Sequence, residues 1–394
     1  MATVISSLQQ NTSGSDHLKR DVSLVLSKLD PDIYPLDTLL RRMKKGEPAQ
    51  AVKVEFASVG VLPRTDTVKA EVQQGNAGAA VDVTVNNVGM WRVDDLILLV
   101  GIANSPVLWV KSVTPGTNTL NVHVLGATAF GTVPLLEKDL VIGWIGNAKE
   151  ELGNASIGRM VQPDYDYNFC EISDAVVEIS ATRKATANYT KEHDWKRQRR
   201  EQLVEFRKSL EYKSWFGKRS VIVDPTTGKP RWTMNGVTRY ITKKGTYDKD
   251  IVNGPKITES QVIDWLLQAY AGNSGSTTRF LFADTYLAGE LMKVDLVNLR
   301  SRKLEVVLGV KMDRMEFNFG TVYLKHHRGF NEMGHNHFGV LLDLEQISKR
   351  DLLPMEKNVL DYKAQGKHGE AEQYIEQSTL EIRYPDTHML IVGD

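Results

Sequence analysis

The stretch ANYTKEHDWKRQRREQLVEFRKSLEYKSWF, Ala187 to Phe216, decides the reading of this chain. No proline or glycine interrupts the chain between Pro163 and Gly217. Trp195, Leu203, Phe206 and Leu210 recur at helical spacing and form one narrow apolar stripe, so the stretch reads as a single long helix. Its remaining surface is charged and unbalanced: from Arg183 to Arg219 there are 12 Lys or Arg and 5 acids, and 12 − 5 gives +7. Gly217 stands at the expected C-cap, with Lys218 and Arg219 near the negative end of the dipole. A long basic helix with one apolar seam reads as a beam laid across a sheet or a neighbouring subunit.

The segment before the beam, Cys170 to Thr182, alternates as a strand. Residues 75–146 are rich in Val, Leu, Thr, Asn and Gly, with strand-like runs at Val81–Val85, Leu96–Val100, Val107–Val113 and Leu120–Leu125. Thr114-Pro115-Gly116-Thr117-Asn118 marks a turn, with proline presetting φ and glycine accepting positive φ. This reads as a small all-β barrel or sandwich inserted into another fold. Leu36 to Lys45 reads as a short helix ending in a basic run, and Asp21 to Leu29 as a shorter amphipathic one. Val52 to Phe56 reads as a strand. Thr258 is the expected N-cap of a helix from Glu259 to Tyr270, and Leu287 to Leu299 a further helix. Strands are expected at Phe280–Ala283, Leu304–Val310, Gly320–Lys325, Phe338–Leu344, Leu380–Tyr384 and Met389–Val392. Helices and strands mix without a βαβ repeat, so the class is α+β.

With 394 residues and a formal net charge of zero, the chain has room for two or three domains and lacks the overall basic excess of a dedicated nucleic-acid binder. No apolar run reaches bilayer-spanning length, and Met1 to Gln10 lacks a signal pattern. The single cysteine, Cys170, excludes an internal disulfide or a cysteine metal cage. His326-His327 with His335 and His337 invites a metal reading, but adjacent strand residues point to opposite faces. A polar loop at a subunit contact is the expectation. Gly217-Lys218-Arg219-Ser220 lacks the upstream glycine of a phosphate loop, Tyr212 standing in its place. Asp94-Asp95 reads as a turn or surface feature. No catalytic constellation, cofactor or metal site emerges. Arg41, Arg42, Lys44 and Lys45 complement a helix end or meet a neighbour, and the basic beam meets phosphates or an acidic surface.

The order of several stretches resembles the major capsid proteins of tailed bacteriophages with the HK97 fold, and the SU10-like family in particular. These are Tyr34-Pro35-Leu36-Asp37-Thr38-Leu39-Leu40, Asn168-Phe169-Cys170-Glu171-Ile172, and Leu210-Glu211-Tyr212-Lys213-Ser214-Trp215-Phe216-Gly217. Asn235-Gly236-Val237 through Ile241, Thr258 to Leu267, Gly320-Thr321-Val322-Tyr323-Leu324, Leu341-Leu342-Asp343-Leu344 and Leu352-Leu353-Pro354 follow in order. The resemblance implies an N-terminal arm at 1–45 and an E-loop at 46–74 and 148–172. It places the inserted β module at 75–147, a P-domain with the spine helix at 173–257 and 351–394, and an A-domain at 258–350. It further implies self-assembly into pentamers and hexamers of an icosahedral shell enclosing dsDNA. Spine residues Lys196, Arg197, Arg199, Arg200, Arg207 and Lys208 would face DNA. Arg41, Arg42, Lys44 and Lys45 would serve the arm between subunits, and His326, His327, His335 and His337 would lie near the capsomer axis. Portal, scaffolding or decoration proteins are expected partners, the location is the virion head, assembled in the host cytoplasm, and no membrane is involved. The alternatives are another virion component whose β module binds glycans, or a histidine-metal hydrolase.

Overall fold

The computed structural model describes residues 34–43, 46–153, 155, 157–186, 194–250, 256–271, 275–294, 302–362 and 366–394. They fall into two compact units, one drawn from the described residues of 34–58 and 165–394, the other from those of 59–164. The expected helix at 21–29 lies outside the described residues.

In the larger unit the beam is the helix Asp194–Phe216. It lies on a three-stranded antiparallel sheet in which Gly369–Ile382 is flanked by Glu171–Ser180 and Ile347–Leu360. The anticipated stripe is what docks: Trp195, Phe206 and Leu210, with Leu203, pack on Val177, Ile179 and Tyr374. Val177 and Ile179 share a face because strand side chains alternate with period two.

The long hairpin departs from the sequence reading, which expects no strand between Leu344 and Leu380. Two 14-residue strands run instead from Ile347 to Leu360 and from Gly369 to Ile382. Proline has no N–H for a ladder, and the register shifts between Asp351 and Leu353 and between Leu353 and Glu356 accommodate Pro354. Most of Ile347–Leu360 is exposed or half-buried and carries charges, so it lacks the apolar alternation by which strands are recognised.

A seven-stranded mixed sheet is the largest sheet of the unit, in the order Lys243–Tyr247, Met389–Gly393, Phe338–Leu342, Thr278–Ala283, Gly320–His326, Val310–Phe317, Arg302–Val307. Its strands bury both faces. Phe282, Val340 and Leu342 join one core with Trp215 of the long helix and Leu36, Leu39 and Leu40 of the helix Pro35–Met43. Leu281, Ala283 and Leu341 join a second core under the helices Glu259–Tyr270 and Thr285–Lys293. The first of these helices begins with the full capping box of Thr258 and Gln261. The helix expected over 287–299 runs from Thr285 to Lys293, and residues 295–299 lie outside the described set. The single strand expected at 304–310 is half of a hairpin that turns at Leu308 and Gly309, both with positive φ. The helix Pro35–Met43 is thus part of the core, not a detached arm.

The smaller unit is an antiparallel barrel of six strands in one path, with a seventh short strand, Phe130–Gly131, paired to Thr119–Leu125 off that path. The strands run in the order Thr65–Thr67, Val141–Asn147, Asp95–Leu99, Val107–Thr114, Thr119–Leu125, Val81–Thr84. The bridge Val68–Val85 and the bonds from Lys69 N to Thr84 O (2.8 Å) and Asn86 N to Thr67 O (3.2 Å) close the ring. Its core includes Val83, Ile97, Leu108, Val110, Leu120 and Val122. In the turn after Val107–Thr114, Asn118 rather than Gly116 takes the left-handed conformation.

Candidate functional site on the long helix

Glu211 faces inward from the long helix and is fully buried. Its carboxylate accepts from Leu36 N (3.1 Å), Asp37 N (2.7 Å) and Trp215 Nε1 (2.8 Å), and lies 2.9 Å from His327 Nε2. A helix start leaves its first N–H groups unpaired. Here Pro35 has none to offer, Leu36 and Asp37 donate to Glu211, and Thr38 N donates to Tyr34 O. The negative charge also sits at the positive end of the helix dipole. One side chain therefore ties together three segments: the first helix, the long helix and the segment after Gly320–His326.

Beside it lies an ion cluster. Asp37 is 1 % exposed and meets Arg41 (2.8 Å), Arg207 (3.0 Å) and Lys349 (3.1 Å). Glu376, fully buried, meets Arg41 and Lys349, each at 2.5 Å, and accepts from Ser378 Oγ at 2.8 Å. Burial pushes both carboxyls up, but the cations outweigh it and hold both below the usual carboxylate range. Asp351 is held above that range, because its burial outweighs Lys349.

Several cations of the basic beam are engaged within the chain. Arg207 is spent on Asp37, Arg199 on Glu372 (3.0 Å), and Lys208 on Glu205 (3.5 Å) and Glu332 (3.7 Å). Lys213 reaches Glu171 at 2.7 Å and Ser173 Oγ at 2.9 Å. Glu171 and Glu372 come from the underlying sheet, so Arg199 and Lys213 are met by acids of that sheet in the same chain. Lys196 and Arg200 remain exposed and Arg197 half-buried. In the first helix, Arg41 belongs to the ion cluster, and Arg42 donates to Leu308 O at 2.5 Å. Both are thus engaged within the chain; Lys44 and Lys45 lie outside the described residues.

The four histidines do not converge. His326 Nε2 lies 2.9 Å from Thr285 Oγ1, and burial, reinforced by Arg328 and Lys325, lowers its pKa. His327 is enclosed between Glu211, Trp215 and Phe330, which corrects its expected place on an open polar loop. That segment holds the short helix Arg328–Glu332. His335 is exposed and stacks on Phe216 (4.5 Å between centroids), while His337, with φ of 58°, meets the Tyr247 hydroxyl at 3.0 Å. Among the described residues, no group of three His, Cys, Asp or Glu is placed to hold a metal ion. Cys170 is buried, which pushes its thiol up to about 11. Asp95 is no surface feature: it is enclosed in the barrel and paired with Arg159.

Gly217 serves close approach, not positive φ. A Cβ there would lie 2.6 Å from Met234 O and 2.7 Å from Lys213 O. Sequence reasoning missed Glu211 and Glu376. Glu211 carried one available signal, a carboxylate beside the apolar stripe and four residues before Trp215.

A family profile described as SU10 major capsid protein matches residues 5–393. The chain belongs to that family: it is a bacteriophage major capsid protein, a structural protein and not an enzyme. Membership makes its α+β architecture, a long helix on a sheet beside a second, larger sheet, that of an HK97-type shell subunit. No curated protein matches the chain. Among solved structures it is similar to the capsid of a native GTA particle, at 8% identity and TM-score 0.48, covering 99% of each chain. It is similar to a chain of Microbacterium phage Oxtober96 (10% identity, TM-score 0.47, 96% of each chain). It is also similar to the capsid of cyanophage P-SCSP1u (12% identity, TM-score 0.38, 63% of this chain and 80% of that one). The family assignment rests on the profile alone.

Proposed function

We propose that this chain assembles with copies of itself into pentamers and hexamers of an icosahedral head shell that encloses a double-stranded DNA genome. The observation that carries the reading is the hairpin Ser220–Val223 and Pro230–Thr233, a two-stranded sheet of its own. Its residues Val221, Ile222 and Val223 are 42%, 55% and 59% exposed. A two-stranded hairpin is marginal alone in water, and three consecutive apolar residues left in solvent favour burial against a neighbouring subunit. By the family mapping, residues 1–45 are the N-terminal arm, 46–74 and 148–172 the E-loop, 258–350 the A-domain, and 173–257 with 351–394 the P-domain around the spine. Lys196, Arg197 and Arg200 of the spine are the candidates for sequence-independent contact with packaged DNA. His326, His335 and His337 are the axis candidates that stay accessible. Assembly takes place in the host cytoplasm with portal and scaffolding or decoration proteins.

Negative-stain microscopy and sedimentation of the purified chain test assembly. Closed shells, or five- and six-fold capsomers, are expected. A monomer at all concentrations and salts, with scaffolding partners present, overturns the proposal. The DNA role is tested separately with Lys196→Glu, Arg197→Glu and Arg200→Glu combined: shells should form, and their salt-dependent DNA retention should fall.

A further inference from the structure

We propose that the outer wall of the barrel in residues 59–164 carries a carbohydrate-binding platform. The strands Asp95–Leu99, Val107–Thr114 and Thr119–Leu125 turn Ile97, Leu108 and Val122 into the barrel core. The alternate residues face out, and there Leu96, Trp109 and His123 are successive register partners, while Phe130 pairs with Leu125. The three rings are nearly parallel. Trp109 and Phe130 are inclined by 9° at 5.9 Å, His123 and Phe130 by 22° at 4.3 Å, and Trp109 and His123 by 26° at 6.0 Å. Phe130 is 44% exposed and Leu125 41%, so the stack reaches solvent. No bond holds the His123 ring through Nδ1, which is buried without a hydrogen-bond partner among the described residues; stacking sets its place.

Two residues along the same strand, on the same outer face, the chemistry changes. Asn121 is the register partner of both Asp82 and Ser112, and its Nδ2 donates to Asp82 Oδ1 at 2.7 Å. An amide, a carboxylate and a hydroxyl thus line up beside the aromatic row, roughly 7 Å away by sheet geometry. A pyranose ring has this same division. One face offers C–H groups to the electron-rich face of an aromatic ring, and the rim offers hydroxyls that both donate and accept. Asp82 opposes a nucleic acid, whose phosphates it would repel, and the polar row breaks the continuous apolar area that a protein partner would cover.

Titration calorimetry of the full chain with cellohexaose, chitohexaose and maltohexaose, with a glycan microarray spanning hexoses, hexosamines and uronic acids, tests the assignment. Saturable binding of at least one glycan is expected. It should weaken about tenfold in Trp109→Ala or Phe130→Ala and several-fold in Asp82→Ala, with barrel unfolding and shell formation unchanged. Binding that survives all three substitutions, or no saturable binding anywhere on the array, overturns the proposal. So does a result in which Phe130→Ala alters only sedimentation, which would make the patch a contact between copies.

Discussion

Replacing Glu211 by alanine removes the acceptor for two helix-start N–H groups, an indole N–H and an imidazole, all in a fully buried site. A hydrogen bond to a charged group contributes about 1.5–3 kcal/mol, and donors left buried and unpaired cost further. Four such contacts summed would overshoot, since the truncated site admits water and the helix start can fray. Each buried donor left without its acceptor costs about 1–3 kcal/mol, and partial relaxation offsets part of the sum, so roughly 4 kcal/mol is expected for Glu211→Ala. Glu211→Gln keeps the shape and part of the acceptor capacity, but turns an amide N–H toward donors, and should cost about half as much. Hydrogen exchange with mass spectrometry on the peptide covering 34–43 reads the effect directly. Opening of the first helix made easier by about 4 kcal/mol corresponds to roughly a thousandfold loss of protection. The reasoning is refuted if protection of Leu36 and Asp37 in Glu211→Ala stays within a few-fold of the parent chain.

Two further outcomes follow from the same region. Asp37 and Glu376 are held low, so their stabilisation is complete above their unfolded values of about 3.9 and 4.3 and is lost as pH falls through the folded values. Asp351, held high, acts in the opposite sense, its burial cost easing as it protonates. Protection of residues 34–43 should therefore decline below about pH 4.5, and Asp37→Asn should flatten that decline. In Gly217→Ala the new methyl would press on two backbone carbonyls, Met234 O and Lys213 O, which no rotamer change relieves. A loss of about 3 kcal/mol in denaturant unfolding is expected, and an unchanged midpoint would contradict the close-approach reading.

Much of the beam was legible in the sequence. Trp195, Leu203, Phe206 and Leu210 are spaced by the helix itself, and a stripe of that kind must find an apolar surface. The capping box at Thr258 and the turn from Asp224 to Gly228 were legible for the same reason: their partners are within a few residues. The strands of the barrel showed in their composition, its closure through Val68 and Val85 did not. The hairpin Ile347–Leu360 with Gly369–Ile382 escaped because its charged side chains are paired across the hairpin and with the two helices packed on it, so its strands lack a simple apolar alternation.

The sequence alone therefore determined which segments are helices or strands wherever apolar period and capping are local, and the order of its motifs determined the family. Only the tertiary structure decided what the charges do. A +7 excess along the chain looks like a surface for polyanions, yet Arg199, Arg207 and Lys213 meet Glu372, Asp37 and Glu171 across long sequence separations. Ion pairs depend on distance in space, and a carboxylate such as Glu211 that receives N–H groups 174 and 175 residues away leaves no periodic trace in the chain.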